Sequence, residues 1–174
     1  MSAPQSYVPA TRKKVNKKTH SQTISSNTAG DTGTVAKLME TKGGGIIALH
    51  PEDTLAKAVS ILREKRIGAL AVLDHAGSLK GILSERDIVR KLAETPGQTL
   101  PQTVAENMTP NVVTCAPTDT LVTVLKLMTE GRFRHMPVLD GGTVLGMVTI
   151  GDVVQFRLAE VEHEALQLKQ MIVG

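Results

Sequence analysis

Cysteine and long apolar runs are nearly absent from this chain of 174 residues. The single cysteine, Cys115, can form no intramolecular disulfide and no thiolate metal site, so a reducing compartment is expected. No apolar run approaches the roughly 20 residues that a membrane-spanning helix needs, so no membrane span is expected. The length allows one ordinary domain or two small ones and is too short for a large catalytic barrel with an accessory module.

Basic residues are in excess only at the start of the chain. Residues 1–33 carry five basic side chains against one acidic, whereas the remainder carries 15 basic and 16 acidic, so the net charge of +3 belongs to this tail. Its Ser, Thr, Asn and Pro content predicts a disordered, solvated extension. The alternatives are an electrostatic arm for nucleic acid and an organelle presequence, although Lys outnumbers Arg and no amphipathic helix is visible.

The rest of the chain contains two copies of one pattern. Residues 51–87 recur at 117–152 with a spacing of 66 that falls to 65 after a turn, and Thr-Val-Ala at 34–36 recurs 69 residues later. Such internal repetition identifies structural repeats. The predicted segments are repeat 1 at residues 34–94, a linker at 95–102, repeat 2 at residues 103–157 and a C-terminal helix at 158–174.

Both repeats predict the same order of elements. Apolar residues at helical spacing predict helices at 54–65 and 120–130. Apolar runs on either side of turn residues then predict two strands joined by a hairpin in each repeat. The expected fold class is α/β (α+β), with two β-α-β-β-α repeats packed as a pseudo-two-fold pair, because one such unit buries too little alone.

A hydroxyl and a carboxylate stand three residues apart after the second strand of each repeat. They are Ser84 and Asp87 in repeat 1 and Thr149 and Asp152 in repeat 2, preceded by Gly81 and Gly146. This spacing is typical of a helix N-cap with an acid in the first turn. It also suits a ligand, because a carboxylate binds a ribose diol and a helix N-terminus tolerates phosphate. The pattern alone leaves both interpretations open.

The two motifs, GILSERD and GMVTIGD, follow strands that read GALAVL and RHMPVL. Together they resemble the paired motifs of the cystathionine β-synthase (CBS) domain pair, or Bateman module. The resemblance covers residues 34–157 and is to stand-alone CBS-pair proteins. It implies clefts between the repeats that bind an adenosine-containing ligand, AMP first, with ATP, NADH or S-adenosylmethionine as alternatives.

The resemblance also implies a role for each candidate site residue. Asp87 and Asp152 would accept the ribose hydroxyls, with Ser84 and Thr149 beside ribose or phosphate. Residues on strands that flank the adenine would be Ile46, Ile47, Val113 and Thr114, followed on the next strand by Ala69, Leu70, His135 and Met136. Basic phosphate contacts would come from Arg132, Arg134 and His135, and Arg86 would add a contact in its own cleft.

The two clefts are predicted to be unequal. Repeat 2 carries Arg132, Arg134 and His135 where repeat 1 keeps only Arg66. A partly desolvated phosphate needs charge-assisted donors, which an arginine fork supplies. The aspartate that shares a cleft with this cluster stays undetermined. For the basic residues the alternative is a purely structural role, as helix-end or surface arginines and a strand-edge histidine.

Catalytic and metal-binding signatures are missing from the sequence. It contains no acid/base pair, nucleophile triad, Walker loop or zinc signature, and its five histidines are dispersed. A non-catalytic protein without a metal is therefore expected. Cys115 is expected to be a small buried hydrophobe.

The C-terminal segment carries an apolar stripe with alternating steps of four and three residues. Its members are Val154, Leu158, Val161, Ala165, Leu168 and Ile172. At under three heptads the stripe is too short to stand alone as a coiled coil. Together with the dimers common among CBS pairs, it implies a homodimer or larger homo-oligomer. Packing on its own module is the alternative.

These features predict a non-catalytic sensor. An adenosine ligand would bridge the repeats and alter the contacts offered to a separate regulated protein, and nucleic acid is not expected as a partner. The alternative is a structural or interaction module with empty clefts, whose tail contacts nucleic acid or a membrane. The predicted location is cytoplasmic, or an organelle matrix if the tail is a presequence.

Overall fold

The computed structural model describes residues 33–43 and 45–173, so the prediction for the basic tail lies, apart from Gly33, outside the described residues. The part of the chain that is described folds as α1 (Val35–Lys42), β1 (Ala48–Leu49), α2 (Leu55–Lys65), β2 (Ala69–Leu73), β3 (Leu79–Ser84), α3 (Glu85–Glu94), α4 (Val104–Asn107), β4 (Thr109–Pro110), α5 (Leu121–Gly131), β5 (His135–Asp140), β6 (Thr143–Thr149) and α6 (Ile150–Val173). The mixed α/β fold class is confirmed.

The helices predicted at 54–65 and 120–130 are α2 and α5, and both begin and end in the same way. Thr54 and Thr120 cap their N-termini, each accepting a hydrogen bond from the backbone N–H three residues on. Arg66 and Arg132 end them in the left-handed conformation, with φ of 54° and 55°. A left-handed residue turns the chain sharply away from the helix axis. The chain therefore leaves each helix at an arginine that precedes the next strand.

The predicted hairpins are present in both repeats. Strands β2 and β3 pair antiparallel, as do β5 and β6, and β1 adds to β2 in parallel. The strand expected across Val113 and Thr114 is wrong, because the chain turns at Asn111, with φ of 53°, and reaches β5 only at Cys115. Ile46 and Ile47 likewise lie just before β1 rather than within it.

The repeats exchange their leading segments, which was not predicted. Helix α1 belongs to repeat 1 in sequence, yet the Val35 N–H donates to the Asp119 carbonyl at 2.9 Å, and Val35 and Leu38 lie in the core of repeat 2. In the same way the Val104 N–H donates to the Asp53 carbonyl at 2.7 Å, and Val104 lies in the core of repeat 1. Each core is thus completed by the other repeat.

The glycine that opens each motif has a packing role at this exchange. A Cβ on Gly81 would lie 2.6 Å from the Thr109 carbonyl oxygen, because β4 of repeat 2 pairs with β3 of repeat 1. A Cβ on Gly146 would lie 2.5 Å from Cε of Met39 on α1. Only the absence of a side chain allows such close approach. Both glycines therefore admit a segment of the opposite repeat.

Cys115 is the small buried hydrophobe that was expected. Its residue surface is 3% exposed, within the core of repeat 2. Burial, reinforced by the Asp119 carboxylate, raises the pKa of its thiol to about 11. A neutral buried thiol is a poor nucleophile, which agrees with a packing role.

The C-terminal stripe and the packed face of α6 are different surfaces. The helix contacts the core of repeat 2 through Ile150, Val153 and Phe156, whereas the stripe from Val154 to Ile172 is exposed, with Leu168 61% accessible. Packing of the stripe on its own module is therefore wrong for the described chain. None of the described helices combines the length and apolarity needed to cross a bilayer.

Candidate functional site

The two hydroxyl–carboxylate pairs are helix caps, as the spacing indicates. Ser84 and Asp87 form a reciprocal capping box, in which Asp87 Oδ2 accepts from the Ser84 N–H at 3.0 Å and from Ser84 Oγ at 2.6 Å. In repeat 2, Asp152 Oδ2 accepts from the Thr149 N–H at 2.8 Å, and the Asp152 N–H donates to Thr149 Oγ1. Because the cap uses a single carboxylate oxygen, the second one remains available to another donor.

Asp87 lies in the cleft that contains the arginines of repeat 2. This cavity of about 460 Å³, here called the Asp87 cleft, is lined from repeat 1 by Ser84, Arg86 and Asp87 and from repeat 2 by Val113, Arg132, Arg134 and His135. Four arginines, counting Arg90, face two carboxylates, counting Glu85. Arg132 and Arg134 of the basic cluster therefore line the same cavity as Asp87 and not that of Asp152.

Asp152 lies in a second cavity of about 390 Å³, here called the Asp152 cleft. Repeat 2 contributes Thr149 and Asp152 to it, and repeat 1 contributes the apolar side chains of Ile46, Ile47 and Ala69. Its basic residues are Lys42 and Arg66. The apolar wall predicted beside an adenine and the carboxylate predicted beside a ribose therefore do meet in this cleft.

Lys42, which sequence reasoning missed, forms an ion pair with the carboxylate of the Asp152 cleft. Its Nζ lies 2.6 Å from Asp152 Oδ2 and also donates to the Met147 carbonyl at 2.9 Å. Burial opposes the charge on Asp152, but the hydrogen bonds from Lys42 and Thr149 outweigh it and hold the pKa of this carboxyl below its usual 3.8. At the repeat spacing of 69, the residue equivalent to Lys42 is Asn111, which lines the Asp87 cleft without a charge.

His135 lies where the two clefts adjoin and lines both of them. The opposite residue is Gly68, where a Cβ would lie 3.3 Å from His135 Nε2. Space at this junction is therefore limited, because any side chain at residue 68 would press on the His135 ring. Burial and the nearby Lys42 ammonium lower the pKa of His135, so its ring is neutral at pH 7.

Three of the candidate residues lie outside both clefts. Leu70 and Met136 are fully buried in the cores of repeats 1 and 2. Thr114 is half-buried and lines neither cavity. Because alternate residues of a strand point to opposite faces, Ala69 and His135 face the clefts while their neighbours Leu70 and Met136 face the cores.

The fold and its clefts define a class of protein: a tandem pair of interlocked repeats with ligand-sized cavities between them. The sequence model of the CBS domain matches residues 35–94 and 103–159. The chain therefore belongs to the CBS domain family, as the resemblance implied.

Related proteins, one compared by sequence and two by structure, agree with this assignment. The CBS domain-containing protein CBSX3, mitochondrial, of Arabidopsis thaliana is 31% identical over 152 residues, which are 83% of this chain and 74% of that protein. A CBS-domain containing protein from Agrobacterium tumefaciens is 38% identical, with a TM-score of 0.70 over 72% of this chain and 99% of that one. CBSX2, solved in complex with AMP, is 25% identical, with a TM-score of 0.61 over 72% of this chain and 97% of that one.

Proposed function

We propose that this chain is a non-catalytic regulatory module that binds an adenosine-containing ligand, AMP first, in the Asp87 cleft. The observation that carries the proposal is the meeting of the capped carboxylate of repeat 1 with Arg132 and Arg134 of repeat 2 in one cavity. The complex of its relative CBSX2 with AMP supports the choice of ligand.

The chemistry of the cleft suits a nucleoside monophosphate. Asp87 Oδ2 is engaged by the cap, and no described residue donates a hydrogen bond to Oδ1, which leaves this atom for a ribose hydroxyl. Arginine guanidinium groups bind phosphate oxygens in a bidentate manner. A volume of about 460 Å³ lies within the usual range of small-molecule sites.

The Asp152 cleft should bind the same ligand more weakly. The Lys42 ammonium, which lies 2.6 Å from Asp152 Oδ2, already neutralises the carboxylate that a ribose diol would contact through Oδ1. A neutralised carboxylate is a weaker hydrogen-bond acceptor than Asp87, for which the described residues provide no ion pair. The predicted inequality of the clefts thus has two sources, the arginines on one side and Lys42 on the other.

Regulation would follow from the ligand's contacts with both repeats. A ligand that spans the Asp87 carboxylate and the repeat 2 arginines favours the arrangement in which these groups are close. It can shift the conformation only by its unequal affinity for two arrangements. The surface offered to a separate regulated protein would change accordingly.

Calorimetric titration with AMP, ATP, NADH and S-adenosylmethionine tests the proposal. Asp87→Ala should weaken AMP binding at least about tenfold, as expected for the loss of a hydrogen bond to a charged group. Asp152→Ala is the matched control, because it removes the same side chain from the other cleft, and the higher-affinity site should persist. Failure of all four ligands to bind the folded protein would instead favour a structural or interaction module.

We also propose a homodimer formed through the exposed stripe of α6. Val161 and Leu168 are 53% and 61% exposed, and they lie on one side of the helix at heptad-like spacing. Two copies would bury this stripe against each other. Sedimentation should show a dimer that dissociates in Val161→Glu/Leu168→Glu, whereas Glu162→Gln, changed beside the stripe, should stay dimeric. A monomeric wild-type chain would contradict this assembly.

A further inference from the structure

Three potential metal ligands meet on the surface of repeat 1, away from both clefts. His50, Glu52 and His75 each contribute one ligand atom, and these atoms all lie within 4.8 Å of one another. His75 Nε2 is 2.6 Å from Glu52 Oε1, and the rings of His50 and His75 stack with centroids 4.6 Å apart. His50 and Glu52 are two residues apart, whereas His75 follows 23 residues after Glu52 and is brought to them by the fold.

The backbone places these residues by a simple route. His50 follows β1, which pairs in parallel with β2, so His50 comes beside Leu73 at the end of β2. The turn between β2 and β3 then presents His75, and Asp74 Oδ1 stabilises that turn by accepting from the N–H groups of Ala76 and Ser78. Glu52 belongs to the turn that precedes α2.

The ring of His50 is already oriented. Its Nδ1 lies 3.1 Å from the Leu73 carbonyl oxygen, an acceptor only, so Nδ1 carries the proton and Nε2 carries the free lone pair. Metal-ligating histidines typically donate their other ring N–H to a backbone carbonyl or a carboxylate in this way. The hydrogen bond to the Leu73 carbonyl therefore fixes the orientation of the His50 ring and leaves Nε2 free to bind a metal ion.

Repeat 2 provides an internal comparison. At the repeat spacing of 66, the residues equivalent to His50, Glu52 and His75 are Ala116, Thr118 and Gly141. The turn itself is the same in both repeats, because Asp53 and Asp119 accept from the backbone N–H groups of residues 50 and 116, respectively. The turn before the helix therefore forms without a histidine or a glutamate at these two positions.

We propose that His50, Glu52 and His75 form a binding site for a divalent transition-metal ion, specifically Zn²⁺. Two imidazole nitrogens and one carboxylate oxygen suit Zn²⁺, with water as a fourth ligand. Ligand atoms around a tetrahedral zinc lie about 3.4 Å apart given bonds of about 2.0–2.2 Å. Zinc binding therefore requires the exposed His75 ring to turn out of its stack on His50 and its Nε2 to give up the contact of 2.6 Å with Glu52 Oε1. The ion would join the β1–α2 turn to the β2–β3 turn.

Zinc titration of the full-length chain by calorimetry tests the site, with Zn²⁺ alone as the probe. We expect one saturable interaction that weakens at least about tenfold in Glu52→Gln/His75→Ala, because even the loss of a residue that only supports a metal ligand typically costs about 10–100-fold in affinity. Both side chains are more than half exposed, at 57% and 78%, so this variant should fold normally. His163→Ala is the matched control, because it removes an exposed histidine elsewhere, on α6, and should leave binding unchanged.

Two further readouts separate a defined site from general attraction. Co²⁺ in place of Zn²⁺ should give the visible absorption bands of a low-coordinate ion, and these should be absent from the double variant. The melting temperature should rise with Zn²⁺ concentration in the wild type and in His163→Ala only. Equal Zn²⁺ affinity in the wild type and the double variant, or no saturable binding to the wild type, would overturn the proposal.

Discussion

Truncation of one leucine tests the exchange of leading segments between the repeats. Leu38 lies on α1, at the start of repeat 1 in sequence, but it is 4% exposed within the core of repeat 2. Replacement of a buried leucine by alanine costs about 2–5 kcal/mol through lost burial and the cavity left behind. For a chain of this size, that free energy lowers the melting temperature by about 4–20 °C.

The strands that are destabilised by this substitution test the exchange of leading segments more directly than the total loss of stability does. Hydrogen exchange in Leu38→Ala should accelerate most for the amides of β5 and β6 in repeat 2, although the substitution lies in the sequence of repeat 1. Glu40→Ala is the matched control, since Glu40 is exposed on the same helix and surface changes usually alter stability by about 0.5 kcal/mol or less. Faster hydrogen exchange confined to β2 and β3, or a loss of stability as small as that of Glu40→Ala, would refute the exchange of leading segments between the repeats.

Three other predictions follow from single contacts. Gly81→Ala should lower the urea midpoint more than Gly146→Ala, because its Cβ meets a backbone carbonyl rather than a flexible methionine end; the reverse order would count against the strand pairing. Lys42→Met should have a lower free energy of unfolding than the wild type near pH 7. This difference should vanish as the pH falls through the depressed pKa of Asp152, because a carboxyl whose pKa is lowered by folding stabilises the folded state only while it is ionised. Urea unfolding from pH 2 to 7 measures it, and a difference independent of pH would exclude the ion pair as its source. Cys115, with its pKa raised to about 11, should react with a thiol reagent at pH 8 far more slowly in the native than in the unfolded chain; similar rates would contradict its burial.

Features determined by neighbouring residues could be predicted from the sequence. The helix cap at Ser84 depends on a carboxylate three residues away, and the β2–β3 hairpin depends on two adjacent apolar runs. Spacing of three or four residues is fixed by helix geometry, so such contacts follow from the pattern itself. Because the same pattern recurs in repeat 2, the sequence predicts the same helix cap and hairpin in the second half of the chain.

Features that join distant residues could not be predicted in the same way. Lys42 and Asp152 are 110 residues apart, and nothing in either motif indicates that α1 crosses to the opposite repeat. Packing of the two repeats likewise places Asp87 in one cleft with Arg134, which the motifs alone left undetermined. His50 and His75 meet only because β1 pairs with β2 in parallel, a register that no local spacing encodes.

The central claim is that one ligand contacts repeat 1 through Asp87 and repeat 2 through Arg132 and Arg134. The ratio of AMP affinity to adenosine affinity tests it most directly, because the two ligands differ only in the phosphate. We expect AMP to bind the wild type at least about tenfold more tightly, the usual magnitude of a hydrogen bond between charged groups. Arg132→Gln/Arg134→Gln should bring the ratio close to one, whereas Asp87→Ala should weaken both ligands and preserve it. An unchanged ratio in the double arginine variant would contradict the claim.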